Sequence, residues 1–279
     1  MAAAAVVVGL SGCSAIATIN ALQPKSGVTV TRDLAYGQGP RGSLDVYRPA
    51  SANGGAPVVV FLYGGGWDSG ARRDYQFVGA ALAREGFVTI IPDYRLYPDV
   101  RWPSFLQDNA AAVAWARGHA AQFGGDPHRL FLMGHSAGAY NAAMLAVDRR
   151  WLAAEKMDPQ RDLAGVVGLA GPYDFLPVRT DELKAIFGPA DQRADTQPIN
   201  HVDGRNPPLL LATDTADTVV DPGNTTRMAE RVRAGGGPVD TRLYKGLSHA
   251  LLIGVFAAPL RPLAPVLRDA VAFMRSHGA

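Results

Sequence analysis

Apolar positions along this chain fall into two patterns. Residues 58–63 (VVVFLY), 87–92 (FVTIIP) and the start of 130–140 (LFLMGHSAGAY) are continuous apolar runs, as expected of strands covered on both faces. Residues 28–34 and 43–47 alternate instead, predicting two antiparallel strands joined near 37–40. Helical spacing runs through 74–85, with Phe77, Ala81 and Leu82 on one face, and through 104–123, with Leu106, Ala110, Val113 and Ala114 as a stripe and Ser104 as a cap. Strands are expected again at 162–169, 209–213 and 239–244, and helices at 225–234 and 263–276. The strand–helix alternation from 58 to 148 implies right-handed βαβ units. The expected class is therefore α/β, a mostly parallel sheet with helices on both faces, whose ligand chemistry gathers at the carboxyl ends of the strands. Over residues 175–208 periodicity weakens and Pro, Asp and Gln accumulate, which predicts a small cap with a short helix near 182–187.

Composition narrows this picture. A chain of 279 residues with 48% hydrophobic and 19% charged residues has ample material for one large core and does not read as disordered. The net charge of +2, with Lys and Arg scattered, points away from nucleic acid as a partner. Residues 1–10 are apolar and alanine-rich and lead into Leu-Ser-Gly-Cys at 10–13, the outline of an export signal. That stretch resembles a bacterial lipobox, which implies lipidation of Cys13, membrane attachment and a place in the bacterial cell envelope. A plain cleaved signal and an ordinary apolar N-terminus are the alternatives, and no Lys or Arg precedes the apolar run. The expected organisation is a signal over 1–13, a tether or short helix over 14–27, and one domain over 28–279. A lone cysteine leaves no internal disulfide, so the fold must rest on its core.

The candidate chemistry centres on Gly134-His135-Ser136-Ala137-Gly138. Ten serines among 31 glycines would give about 0.1 chance matches to G-x-S-x-G, so the surrounding pattern must carry the reading. Here the motif joins an apolar run to small residues. A strand, a tight turn and a helix would put the serine at the apex, with glycines where side chains would collide. Gly64-Gly65-Gly66-Trp67 follows the third expected strand and exposes backbone N–H groups of the kind an oxyanion needs. A serine hydroxyl needs a base and an acid. Of six histidines, His249 follows the last expected strand, with His201 in the cap region as the alternative; His135 is read as pointing away. The acid lies among Asp217, Asp214 and Asp221. Asp217 sits in the loop beyond the strand end, where it can reach a histidine loop, and the order Ser136, Asp217, His249 is that of the α/β hydrolases. Asp93 and Arg95 read as a loop pair satisfying one another.

With YGGGW at 63–67, DYRLYP at 93–98, GGDPHRLFLMGHSAGA at 124–139 and TADTVV at 215–220, the chain resembles the α/β-hydrolase superfamily, specifically carboxylesterases related to hormone-sensitive lipase and kynurenine formamidase. The resemblance implies Gly65, Gly66 and Ala137 as oxyanion donors and supports Asp217 as the acid. It departs at Tyr63, which stands where a histidine usually orders the glycine loop. It implies a serine esterase acting on small ester substrates, of short to medium acyl or small aryl type, with no cofactor and no metal. Amide or aryl-formamide hydrolysis and a non-catalytic binding lipoprotein are the rival readings. Trp67 and Tyr140 are the expected substrate contacts, or else packing residues.

Overall fold

The computed structural model describes residues 12–24, 26–51 and 54–278. The expected export signal lies outside the described residues up to residue 11, and the side chain of Cys13 lies outside them too. Eight strands form one sheet: β1 (Val28–Ala35), β2 (Ser43–Pro49), β3 (Ala56–Leu62), β4 (Val88–Pro92), β5 (Gly125–His135), β6 (Gly165–Leu169), β7 (Leu209–Asp214) and β8 (Val239–Tyr244). Their order is β1-β2-β4-β3-β5-β6-β7-β8. β1 and β2 pair antiparallel and so do β2 and β4, while every pairing from β4 to β8 is parallel. The hydropathy pattern has its cause here. β4, β6 and β7 are buried at every position, whereas the two edge strands β1 and β8 mix half-buried and exposed positions. The alternation expected over 43–47 gives no exposed face, since β2 lies between β1 and β4 and residues 44–47 are all buried.

Helices cover both faces. α1 (Gly12–Ala21) precedes the sheet, α2 (Gln76–Arg84) and α10 (Val266–His277) pack on one side with Val59 and Phe61, and α3 (Ser104–His119), α4 (Ala137–Val147) and α8 (Gly223–Ala234) place Val113, Ala142 and Met228 beside Val58 and Val60 on the other. Short helices α5 (Arg149–Ala154) and α6 (Pro159–Asp162) follow α4, α7 (Asp181–Phe187) lies within residues 175–208, and α9 (His249–Gly254) follows β8.

Three local expectations need correction. The strand expected from 162 begins at Gly165, because the Asp158 carboxylate accepts the N–H groups of Gln160 and Arg161 and winds residues 159–162 into α6. Ser104 is not a cap: Pro103 holds that position and no side chain caps the helix. Asp93 and Arg95 do not pair. Arg95 holds Asp108 at 2.7 Å, and Asp93 instead binds the Arg72 guanidinium and accepts the Arg72 N–H at 2.7 Å. Arg72 Nε also donates to Asp45 at 3.0 Å, so one nearly buried guanidinium bridges two buried carboxylates, and Arg32 supplies a second cation to Asp45 at 3.2 Å. This cluster ties β2, the turn after β4 and the chain leaving the glycine loop to one another.

Candidate active site

β5 ends at His135, and the chain reverses into α4 through Ser136, whose φ of 55° and ψ of −124° are costly for a residue with a side chain. The flanking glycines permit the turn. A Cβ at Gly134 would lie 2.2 Å from the Gly138 carbonyl oxygen, and one at Gly138 would lie 1.9 Å from the Leu62 carbonyl oxygen. Helix α4 therefore starts in backbone contact with the end of β3. Ser136 is held above the sheet, at the N-terminus of an eleven-residue helix whose dipole favours negative charge.

The loop leaving β3 lies against this turn, since a Cβ at Gly64 would meet the Ser136 Cβ at 2.9 Å. Gly65 and Gly66 have φ of 134° and 61°, in the left-handed region. Among the described residues no acceptor takes the N–H of Gly65, Gly66 or Ala137. Tyr63 braces the loop from behind: its hydroxyl donates to Asp93 Oδ1 at 3.0 Å and accepts from Arg41 at 3.1 Å, and its ring stacks on Tyr94 with centroids 4.6 Å apart. Arg41 also reaches the Gly70 carbonyl at 3.2 Å, so both ends of the loop are pinned to one guanidinium.

His249 starts α9 and is paired with Asp217. Its Nδ1–H donates to Asp217 Oδ2 at 2.7 Å, which leaves Nε2 as the acceptor in the neutral ring. The other Asp217 oxygen accepts the N–H groups of Val219 at 2.8 Å and Val220 at 3.1 Å, and the carboxylate is shielded from water. Asp214 and Asp221 do other work. Asp214 accepts Ala216 N–H at 2.9 Å and Leu247 N–H at 2.8 Å, clamping the Asp217 loop to the His249 loop, while Asp221 accepts Gly223 N–H at 2.9 Å where α8 begins. His201 donates to the Asp195 carbonyl at 2.7 Å within residues 175–208.

Two clefts of about 610 Å³ each meet at Ser136. One also carries His249 and the other runs under residues 172–183; they share Gly66, Ser136 and the exposed side chain of Val219. Trp67 lines the second, held by a 3.0 Å hydrogen bond from its Nε1 to Asn141. Tyr140 does not reach either cleft. It is fully buried, its hydroxyl donates to the Thr196 carbonyl at 2.7 Å, and its ring meets Trp67 edge-on at 5.1 Å, so it supports Trp67 and cannot touch substrate. The reading of His135 is corrected as well. Its ring turns toward the histidine loop, where Nε2–H donates to the His249 carbonyl at 3.0 Å, with the ring centroids 4.7 Å apart. A histidine ending an apolar strand and a lone Asn in a helix otherwise buried and apolar were the available signals for His135 and Asn141.

The BD-FAE family profile matches residues 44–232, more than half of the chain. The chain belongs to the BD-FAE family. Its fold is the α/β-hydrolase fold. A truncated carbohydrate esterase from gut microbiota superposes over 92% of this BD-FAE chain and 99% of its own, with a TM-score of 0.79 at 20% identity. Esterase B from Lactobacillus rhamnosis superposes over 95% of this chain and 94% of its own, with a TM-score of 0.77 at 21% identity. In sequence, the esterase LipC of Mycobacterium tuberculosis is 32% identical over 222 residues, covering 73% of this chain and 55% of LipC. The probable isoprenylcysteine alpha-carbonyl methylesterase ICMEL1 of Arabidopsis thaliana is 28% identical over 241 residues, covering 79% of this chain and 51% of that protein. The chain thus spans about half the length of these curated relatives.

In this BD-FAE member His135 has a thermodynamic signature. Burial, reinforced by the neighbouring His249, pushes it down to about 3, so it stays neutral in the folded protein above that pH. In the unfolded chain it binds a proton below about 6.5. Between those values the unfolded state holds more protons, so this contribution is present above pH 6.5 and is lost as pH falls toward 3, at about 1.4 kcal/mol per pH unit. His135→Gln keeps a donor for the His249 carbonyl, and urea denaturation as a function of pH should show that the variant loses about one proton's worth of that slope.

Proposed function

We propose that the protein is a carboxylic ester hydrolase working through an acyl-enzyme on Ser136, on esters with short to medium acyl or small aryl groups. The observation that carries this is the 2.7 Å His249–Asp217 pair, set in the same cleft as a serine on a strained turn. The named relatives LipC and ICMEL1, described as an esterase and a probable methylesterase, lend it support.

In this reading His249 Nε2 takes the Ser136 Oγ proton as the oxygen bonds to the ester carbonyl carbon. The carbonyl oxygen gains the electron pair and is met by the N–H groups of Gly65, Gly66 and Ala137. Asp217 stabilises the imidazolium and fixes its tautomer. Collapse breaks the bond to the alcohol oxygen, which leaves with the proton from His249. Water then adds to the acyl-enzyme with His249 as base again, releasing the acid and restoring the serine. Because the donors stand ready at a helix terminus and a glycine loop, little reorganisation accompanies the charge as it develops.

Hydrolysis of p-nitrophenyl butyrate tests this together with fluorophosphonate labelling. The wild-type protein should turn over the ester and label on Ser136; Ser136→Ala should do neither, and Asp217→Asn should keep the fold but lose about 10³ to 10⁴ in kcat. A folded protein that neither labels nor hydrolyses would be a binding protein. We propose in addition that Cys13 carries a lipid that holds the protein at the bacterial cell envelope. Labelled palmitate should enter the protein expressed in a bacterial host and fail to enter Cys13→Ser; equal labelling, or none in either, would refute the anchor.

A further inference from the structure

Two clefts open on Ser136, and only one contains the ring that must protonate the departing oxygen. In the acyl transfer set out above, the alcohol oxygen takes its proton from His249 Nε2 and has to come within about 3 Å of it. The substituent on that oxygen therefore extends on the imidazole side of the serine, and the substituent on the acyl carbon extends the other way. His249, with His135 and Ser248, lines one cleft; none of the three lines the cleft beneath residues 172–183.

Resting on the ester-hydrolase reading, we propose that the cleft beside His249 holds the alcohol half of the substrate, that this alcohol is bulky and apolar, and that Ile19 sets its size. The walls support each part. Ile19, Tyr75, Phe77, Leu251, Ile253 and Leu260 line the cleft, and among the described residues neither Lys nor Arg does. Asp74, the one carboxylate there among the described residues, has an oxygen committed to the Ala71 N–H at 3.0 Å. A polyhydroxylated alcohol would lose hydration here and find few partners in return, whereas an alkyl or aryl group loses nothing of the kind. The opposite cleft offers Trp67, Phe175 and Leu183 to the acyl group, and the ion-paired Asp174, Arg227 and Asp221 also line it.

Ile19 comes from α1, before the sheet begins, and is fastened in place. The neighbouring Asn20 donates to the carbonyls of Arg73 at 3.2 Å and Asp74 at 3.1 Å and accepts the Phe77 N–H at 3.0 Å. Gln23 accepts the Ala258 N–H at 3.4 Å, two residues from Leu260. The N-terminal helix is thus bonded to the elements that supply the other walls of the cleft.

Two ester series on the full chain separate the halves. One holds the acid as acetate and varies the alcohol through ethyl, butyl, octyl, 1-naphthyl and glyceryl; the other holds p-nitrophenol and varies the acyl group through acetate, butyrate and octanoate. The wild-type protein should favour octyl and 1-naphthyl acetates over glyceryl acetate by about tenfold or more in kcat/KM. Ile19→Trp should cut the octyl-to-ethyl ratio about tenfold and Ile19→Ala should shift it the other way, while the octanoate-to-acetate ratio stays within about twofold. Leu183→Trp, in the opposite cleft, should act on the acyl ratio. Thermal melting of each variant shows whether it is folded. Ile19 variants that move the acyl ratio and spare the alcohol ratio would overturn the assignment, as would a wild-type preference for the glyceryl ester. Failure to hydrolyse any ester would instead overturn the hydrolase reading, and the assignment with it.

Discussion

The structure depends on one close approach: the first turn of α4 against the end of β3, where Gly138 lies so near the Leu62 carbonyl that a single methyl group would not fit. That contact sets how far the elbow rises above the sheet. It brings Ser136 beside the glycine loop, because the loop is the continuation of the strand that α4 touches. The strain at Ser136, of order 1–3 kcal/mol, is sustained by the buried parallel strands on either side, which leave the turn no room to relax.

A second layer of contacts aligns the remaining parts. Asp214 holds two loops with its two oxygens, one carrying Asp217 and the other leading into His249. His135 bonds the His249 carbonyl, so His249 is tied to the same strand that leads into Ser136. Behind the glycine loop, Tyr63, Asp93, Arg41 and Arg72 form a hydrogen-bonded polar network in which the Asp93 carboxylate is paired with the Arg72 guanidinium, which is the condition under which such charges are tolerated in a core. Tyrosine thus braces the loop with a hydroxyl that both donates and accepts.

Much of this was legible in the chain because the physics leaves marks at short range. A strand buried on both faces must be apolar throughout, which exposed β3, β4 and the core of β5, and a turn that admits no Cβ must be glycine, which exposed the elbow. What stayed hidden was set by contacts distant in sequence. Nothing local says that Asp93 answers to Arg72 and Arg95 to Asp108. Every residue of α4 is buried, so there was no periodicity from which to read that Tyr140 faces the core and not the cleft. The partner of His135 lies 114 residues further along the chain, in a loop that the elbow itself does not reveal. The wall contributed by Ile19 had no signal at all, since a tether and a docked helix can share the same composition.

The most direct measurement of the central claim is a crystal structure of the protein after reaction with an alkyl p-nitrophenyl phosphonate. The account predicts phosphorus bonded to Ser136 Oγ, one phosphoryl oxygen about 3 Å from the N–H groups of the glycine loop and Ala137, and His249 Nε2 within hydrogen-bond reach of the ester oxygen. An adduct on another residue, or one on Ser136 whose phosphoryl oxygen turns away from those donors, would contradict it.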